Sequence, residues 1–406
     1  MDPFQLGAVL AATVVVASVI SVEIGLSVAL IELGLGVVVG NVFQLDPNAD
    51  WLVFVAGFAS IVLTFLAGAE IDPDDFRERF GASVTIGLAS FAGPFVVAGV
   101  VAYGLLGWEV KAALIAGTAL STTSLAVVYA VLVETGLNMT RIGKLIMSAC
   151  FVTDMATAIA LSAIFIKPNA WFPLFLVGSI ALILGLPRLA PWFFVRYGDR
   201  VIEPEIKLVF ACLLALMVVA DAANGHAVLP AFVLGLVMAK HYQRHRQEQE
   251  RLRVVAFAFL TPFFFLRGGL NVSLSAVFAN LGLLAALFAA KMVPKIGLVF
   301  PLARRYVPEH ATFTTLLMST GLTFGTISSL YGLNAGIIDQ TQFSLLVTVV
   351  VLSAIVPTAI AQRRFSPDAG PTSAAVTRGR ARAPRAPAGA PRGRGPGRLR
   401  PRSPRG

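Results

Sequence analysis

The chain has 406 residues, of which 57% are hydrophobic and 13% are charged, and its mean hydropathy is +0.80. This composition excludes a soluble globular protein and is typical of a chain that crosses a membrane many times. The formal net charge of +10 is concentrated at the C-terminus, because ten arginines and a single acid, Asp368, follow Ser366. Residues 1–365 therefore carry a net charge of about +1.

Thirteen segments are apolar over roughly the 17 to 25 residues that a helix needs to cross a bilayer. They cover residues 4–20, 23–42, 51–69, 81–105, 110–134, 142–166, 170–195, 205–222, 226–240, 254–271, 274–301, 311–332 and 342–362. The first segment begins at Phe4 with no positively charged stretch before it, so we expect a retained span rather than a cleaved signal peptide. The sequence thus predicts an all-α polytopic membrane protein with about 13 transmembrane helices in residues 1–365.

Lysines and arginines are distributed unevenly over the loops between these segments. Fourteen of them fall on one side, from Arg77 and Arg79 to Arg304 and Arg305, whereas the opposite loops hold Lys167. Basic loops remain in the cytoplasm. We therefore predict a multi-pass protein of the cell membrane with its N-terminus outside and its C-terminal tail in the cytoplasm.

The tail, residues 366–406, is rich in arginine, proline, glycine and alanine and has no aromatic residue. Such a segment cannot bury a core, so we predict a disordered cytoplasmic tail. Without aromatic side chains to stack on bases, nucleic acid is a poor partner. Membrane lipid is a simpler partner for the arginines, and a tail that is merely disordered is an equal alternative.

One carboxylate lies in the middle of an apolar segment. Asp154 follows Thr153 near the centre of residues 142–166. An aspartate in the centre of a membrane helix costs roughly 2.5 to 3.5 kcal/mol, so by default it marks an ion or proton site. The alternative is an aspartate that only donates or accepts a hydrogen bond to a neighbouring helix.

Two of the segments are interrupted by glycine and hydroxyl residues, at residues 117–125 and 319–329. The hydroxyl residues that follow one another in the first interruption are Ser121, Thr122, Thr123 and Ser124. Interruptions at corresponding places in the two halves predict an inverted repeat with two crossing discontinuous helices, whose freed carbonyls and hydroxyls can coordinate a cation. Alternatively, small residues simply let membrane helices approach each other closely.

Other charged residues lie in or near the segments. Lys291 and Lys295 share one helix face if the helix continues past Pro294. One of them could point into the protein, while Lys295 could equally extend to the membrane interface. Glu70 follows a glycine-containing stretch at the end of a segment, where an ion pair is the expected role.

Together these residues resemble the monovalent cation:proton antiporters, in the branch with bacterial Na⁺/H⁺ exchangers and K⁺ efflux antiporters. The resemblance covers roughly residues 4–362. Its motifs are Phe-x-x-Gly-x-Glu at 65–70, Ser-x-Thr-Ser at 121–124, Thr153-Asp154, Ala-Phe-x-x-Gly at 231–235, Phe-Phe-x-x-x-Gly at 263–268 and the lysine segment at 291–295. Each motif alone is weak, but their order and spacing are specific.

The resemblance implies a homodimer in which a six-helix core domain moves against a dimerisation domain and exchanges a monovalent cation, Na⁺ or K⁺, for protons. It implies that Asp154 binds the cation or the proton. It places Thr123 and Ser124 at the helix break beside Asp154, and Lys291 or Lys295 would be the core lysine.

Two departures from the family pattern change the expected mechanism. Electrogenic members have a second aspartate where this chain has Thr153, so we expect one titrating carboxylate and electroneutral exchange. The K⁺ efflux members end in a nucleotide-binding domain, whereas this chain ends in the arginine-rich tail. Gating by nucleotide on this polypeptide is therefore not expected.

Two alternatives remain open. A channel-like or regulated K⁺ efflux protein of the same fold would give a large conductance rather than a saturable flux. An intramembrane enzyme is the weaker alternative, because neither Asp154 nor Asp221 has a Gly-x-Gly-Asp setting and no His-Glu-x-x-His is present.

Cys150 and Cys212 lie in apolar runs without metal-ligand spacing. We therefore predict a transporter that is not an enzyme and has no cofactor.

Overall fold

The computed structural model describes residues 2–24, 27–138, 140–164, 169–198, 200 and 202–365. These residues form helices and no strand, which confirms the predicted all-α architecture. In chain order the α-helices are α1 (Pro3–Ile24), α2 (Val28–Phe43), α3 (Asp50–Ala69), α4 (Pro73–Glu78), α5 (Phe80–Val100), α6 (Val110–Ser121), α7 (Leu125–Glu134), α8 (Arg141–Ile164), α9 (Phe172–Tyr197), α10 (Pro204–Ala222), α11 (Val228–Arg244), α12 (Arg246–Val255), α13 (Thr261–Leu270), α14 (Leu274–Ala279), α15 (Leu281–Tyr306), α16 (Ala311–Met318), α17 (Thr323–Asn334) and α18 (Gln340–Arg364).

Each of the thirteen predicted segments overlaps one helix or a consecutive pair of helices. Within the described ranges, nine helical stretches are long and apolar enough to cross a membrane. The helix α2, with 16 residues, is shorter than these. The total of thirteen spans therefore stays a prediction. The predicted tail, residues 366–406, and the loop residue Lys167 lie outside the described residues.

Several segment boundaries differ from the sequence-based ones. The stretch predicted as one span at 274–301 begins with the separate short helix α14, and α15 then continues to Tyr306. The segment predicted to begin at residue 254 continues a helix that starts at Arg246, because α12 and α13 are joined by the π-helical turn Ala256–Leu260. The residues between Arg246 and residue 254 are mostly polar, so the hydropathy of the sequence does not indicate that the helix begins there.

Helices of the two halves pair in matching ways. The helix α2 is the second of the first half, and it packs along α13, which is the third of the second half. Conversely, α3 is the third helix of the first half, and it packs along α11, which is the second of the second half. In addition, α5 packs along α15. This exchange of partners is what a chain built from two related halves produces.

Glycines make the two central pairings close. A Cβ atom at Gly269 of α13 would overlap the backbone carbonyl of Leu33 in α2. Likewise a Cβ atom at Gly235 of α11 would overlap the carbonyl of Phe65 in α3. Small residues thus bring the helix backbones into direct contact, which is how membrane helices gain packing energy without a hydrophobic driving force.

Candidate functional site

The two interrupted segments cross at their interruptions. The first breaks between α6 and α7, where Thr122 has an extended backbone (φ −65°, ψ 153°). The second breaks between α16 and α17 over residues 319–322. They meet directly, because Thr123 Oγ1 donates to the carbonyl oxygen of Met318 at 2.9 Å and a Cβ atom at Gly325 would lie 3.0 Å from the carbonyl oxygen of Ala119. The predicted crossing of two discontinuous helices is therefore present.

Lys295 lies at this crossing and is fully buried. Its Nζ lies within hydrogen-bond distance of four uncharged oxygens, which share its three N–H groups: Thr122 O at 2.9 Å, Thr123 Oγ1 at 2.9 Å, Met318 O at 3.0 Å and Ser90 Oγ at 3.1 Å. Two of these acceptors are carbonyls at or just beyond the C-terminal ends of α6 and α16. Because a helix C-terminus carries about half a negative elementary charge, the two ends together offset roughly the one positive charge of the ammonium group.

Lys291 is also fully buried, but it is held more weakly. Its Nζ donates to Thr122 O at 3.3 Å and lies beside Gly321 in the second break. Both lysines reach one carbonyl because α15 continues through Pro294 and keeps them on one face. Lys295 therefore does not extend to the membrane interface, and it is the lysine that joins the two broken helices.

Asp154 is only 2% exposed and lies on α8. Within the described part of the chain, its Oδ1 is buried and has no hydrogen-bond partner. The residue nevertheless lines a cavity of about 480 Å³. A buried carboxylate oxygen without a protein partner is costly, and its position at a cavity wall leaves that oxygen available to a proton or a cation.

The first residues of α7 and α17 line the same cavity, namely Leu125, Ala126, Thr323 and Phe324. A helix N-terminus carries about half a positive elementary charge. The crossing therefore separates charge: its two C-terminal ends face Lys295, and its two N-terminal ends border the cavity that holds Asp154. Discontinuous helices in transporters produce this arrangement.

Glu70 also lines the cavity, together with Arg253 and Tyr129. Arg253 Nε lies 3.4 Å from Glu70 Oε1, and its guanidinium carbon lies 6.0 Å from the centre of the Tyr129 ring. The expected ion pair of Glu70 is thus present. Glu70 and Asp154 thus lie in the wall of the same cavity.

The remaining hydroxyl residues have local roles. Thr153 Oγ1 donates to Cys150 O at 2.7 Å within its own helix, and Ser121 Oγ donates to Thr118 O at 2.9 Å. Ser124 Oγ accepts from Val127 N at 3.4 Å, at the start of α7. Of the predicted hydroxyl residues, Thr123 contacts the lysine rather than Asp154.

Sequence reasoning missed Ser90, which lies in the middle of α5 and donates to Met318 O at 3.3 Å as well as accepting from Lys295. It also missed Arg253 and Tyr129 as cavity residues. A single serine in an apolar helix carries no distinguishing pattern, and Arg253 belongs to a run of surface arginines and glutamates. No signal in the sequence separates these residues from their neighbours.

A second cavity, of about 410 Å³, lies further along the same helices. It contains Leu161, two turns beyond Asp154 on α8, and Ile327, one turn beyond Thr323 on α17. Its polar lining includes Asp221, His226 and Arg267. Two cavities therefore lie along the same helices, α8 and α17, with Asp154 in the wall of the first.

Comparison with known proteins agrees with this geometry. The family model "Sodium/hydrogen exchanger, transmembrane" matches residues 9–362. The chain is 25% identical to the probable Na⁺/H⁺ antiporter 3 of Methanocaldococcus jannaschii, over 80% of this chain and 86% of that protein. It is 23% identical to the Na⁺/H⁺-K⁺ antiporter GerN of Bacillus cereus, over 87% of this chain and 93% of that protein.

Among solved structures, the sodium proton antiporter MjNhaP1 of Methanocaldococcus jannaschii at pH 8 has the same fold. The TM-score is 0.69, with 14% identity over 90% of this chain and 100% of that one. The match of the family model over most of the chain, together with the crossed broken helices and the buried aspartate, leads to one conclusion. The chain belongs to the transmembrane sodium/hydrogen exchanger family.

Proposed function

We propose that this protein exchanges a monovalent cation, Na⁺ in the first place and K⁺ as the second candidate, for protons at Asp154. The observation that supports this proposal above all others is the Asp154 carboxylate, which is buried, lines a cavity and has Oδ1 without a protein partner within the described residues. A proton or a monovalent cation satisfies that oxygen, and the two compete for it.

Competition at one carboxylate is sufficient to couple the two flows. When a cation binds, the proton must leave, and when a proton binds, the carboxylate loses the charge that holds the cation. The N-terminal ends of α7 and α17 at the same cavity favour the ionised carboxylate. These ends offset part of the cost of burying the ionised carboxylate, which is the form that binds a cation.

Alternating access follows from the two cavities. The cavity with Asp154 also contains Glu70 and Arg253, at the ends of helices next to the arginine-rich loops. We assign it to the cytoplasmic side by the positive-inside rule, with the N-terminus outside. The cavity with Asp221 and His226 then belongs to the outer side, and transport moves Asp154 from access through one cavity to access through the other.

We also assign a homodimer within the lipid of the cell membrane. The helices α1 and α9 bury only a small part of their surface in the protein. Val15 and Val19 on α1 and Leu176 and Val177 on α9 are more than 50% exposed. These apolar faces suit contact with lipid and with a second copy of the chain.

The test uses Asp154→Asn, which removes the titrating charge with almost no change in volume. The variant and the wild type are reconstituted in vesicles with an imposed proton gradient, and NaCl, LiCl and KCl are added in turn. We expect saturable collapse of the gradient by the wild type and none by the Asn variant. As a control, Asp74→Asn changes an exposed aspartate of α4 and is expected to keep wild-type activity.

Normal exchange by Asp154→Asn would refute the assignment. A flux that rises linearly with cation concentration and needs no proton movement would instead indicate a channel-like K⁺ efflux protein.

A further inference from the structure

Three metal-ligating side chains lie together where α11 ends and α12 begins, away from the cavity with Asp154. They are His241, His245 and Glu248, and one ligand atom from each lies within 4.8 Å of the others. His241 Nε2 and Glu248 Oε2 are 2.9 Å apart, and the two imidazole rings stack with their centres 4.4 Å apart. The exchange mechanism uses none of these residues.

The local fold explains why the three meet. His241 and His245 are four residues apart, so they share a helix face. The helix α11 ends at Arg244, and the backbone of His245 (φ −125°, ψ 61°) then turns the chain into α12. Glu248 lies in the first turn of α12, where its N–H donates to the carbonyl of His245 at 3.1 Å, and this turn directs its carboxylate back to His241.

The imidazole of His245 is oriented as a metal ligand would be. Its Nδ1 lies 3.1 Å from the carbonyl oxygen of His241, and only an N–H can bond to a carbonyl. Nδ1 therefore carries a proton, and in the neutral imidazole the lone pair is on Nε2. Metal-binding histidines commonly donate their second nitrogen to a backbone carbonyl in this manner, which fixes the tautomer and the ring orientation.

We propose that His241, His245 and Glu248 form a binding site for a divalent transition metal of the Zn²⁺ type. Two imidazoles and one carboxylate match a three-ligand zinc site with an open fourth position. Ligand atoms around a tetrahedral Zn²⁺ are about 3.3 Å apart. To bind the metal, His241 Nε2 and Glu248 Oε2 must therefore move slightly apart from their present 2.9 Å, and the ligand atom of His245 must move closer to them. His245 is exposed, so a small rotation of its side chain is unobstructed by a packed core.

The site would join α11 to α12, and both helices contact α3. The helix α11 packs along α3, whereas α12 carries Gln249 and Arg253. Gln249 Nε2 donates to the carbonyl of Ala69 at 3.1 Å, and Arg253 pairs with Glu70 at the cavity of Asp154. A bound metal would hold α12 at its present angle to α11 and keep Arg253 over the cavity, so we expect it to slow transport.

Metal binding is tested first, without reference to transport. The full chain is purified in detergent with an affinity tag that contains no histidine, incubated with ZnCl₂, passed through a desalting column and measured for zinc by mass spectrometry. We expect one Zn²⁺ per chain in the wild type and in the control His310→Ala. We expect at least a fivefold lower zinc content in His245→Ala and in Glu248→Gln. Co²⁺ should give the intense visible absorption of a tetrahedral site in the wild type and in the control.

Two results would contradict the proposed metal site. Zinc content well below one per chain in a folded wild type, or the same content in His245→Ala and Glu248→Gln, overturns the site. A circular dichroism spectrum and an elution volume equal to the wild type show that each variant is folded.

Transport provides a separate measurement. Micromolar Zn²⁺ added on the side of the arginine-rich loops should lower the exchange rate of the wild type, and His245→Ala should need at least tenfold more zinc for the same inhibition. Equal inhibition of both proteins would overturn the role of the metal at α12. The basal activity of His245→Ala without zinc separates this result from any failure of the proposed exchange.

Discussion

At the scale of single residues, Lys295 and Asp154 are buried charges with different partners. Lys295 is held by four oxygens at the crossing, whereas Oδ1 of Asp154 has none among the described residues. A charge satisfied by the protein contributes to structure, and a charge left unsatisfied at a cavity wall is available to a ligand. We therefore expect Lys295 to contribute mainly to stability and Asp154 mainly to the proposed transport.

The first prediction concerns stability at the crossing. Lys295→Met should lower the free energy of unfolding by about 1 to 3 kcal/mol, because carbonyls at the C-terminal ends of the half-helices lose their donor. Lys291→Met removes one long hydrogen bond of 3.3 Å and should cost less. Thermal unfolding of both variants in the same detergent measures the difference. A larger loss of stability for Lys291→Met would contradict the assignment of Lys295 as the joining residue.

The second prediction concerns Glu70. Glu70→Gln should raise the apparent KM for the cation about three- to tenfold, with a smaller effect on the maximal rate. Two effects both weaken cation binding: a negative charge near Asp154 disappears, and Arg253 loses its partner and repels the cation. Glu78→Gln is the control, because Glu78 is exposed and lies 3.4 Å from its neighbour Arg79. An unchanged KM in Glu70→Gln would leave Glu70 with a purely structural role.

At the scale of helices, close packing depends on a few glycines at the two central helix pairings. Gly269 brings α13 against α2, and Gly235 brings α11 against α3. Other glycines in the same helices have open space around them, as Gly57 does in α3. Replacement of glycine by alanine should therefore have opposite effects on stability at the two kinds of position.

The third prediction uses this contrast. Gly57→Ala should stabilise the protein by up to about 1 kcal/mol, because alanine is the better helix former. Gly235→Ala should destabilise it by about 1 to 3 kcal/mol, because the added methyl overlaps the backbone of α3 and the helices must separate. Thermal unfolding in detergent compares the two. Equal shifts of the melting temperature would mean that helix propensity rather than packing decides the outcome.

At the scale of the whole molecule, the proposed exchange at Asp154 leads to a prediction of the transport stoichiometry. Thr153 cannot ionise, and its hydroxyl bonds within its own helix. The Nζ of Lys295 contacts carbonyls at the C-terminal ends of α6 and α16, and these ends carry a partial negative charge. In the proposed mechanism, Asp154 is then the single group that exchanges a proton for a cation.

The fourth prediction is electroneutral exchange of one proton for one cation. In vesicles whose membrane potential is clamped with potassium and valinomycin, neither the rate nor the end-point of sodium-driven proton movement should depend on voltage. The apparent KM for sodium should rise as the pH falls, because protons compete for the same carboxylate. Voltage dependence would show that a second group titrates during transport, with Lys295 the first candidate.

The sequence by itself determined the all-α class, the positions of the apolar segments, the two interruptions and the buried Asp154. These properties are local: the length of an apolar run, a glycine within it or a charge at its centre has an energetic cost that does not depend on distant residues. Only the tertiary structure decided which lysine lies at the crossing, that Thr123 contacts Lys295 rather than Asp154, and that Ser90 takes part. Lys295 and Thr123 are 172 residues apart, and no local pattern encodes which helix faces meet over such a separation.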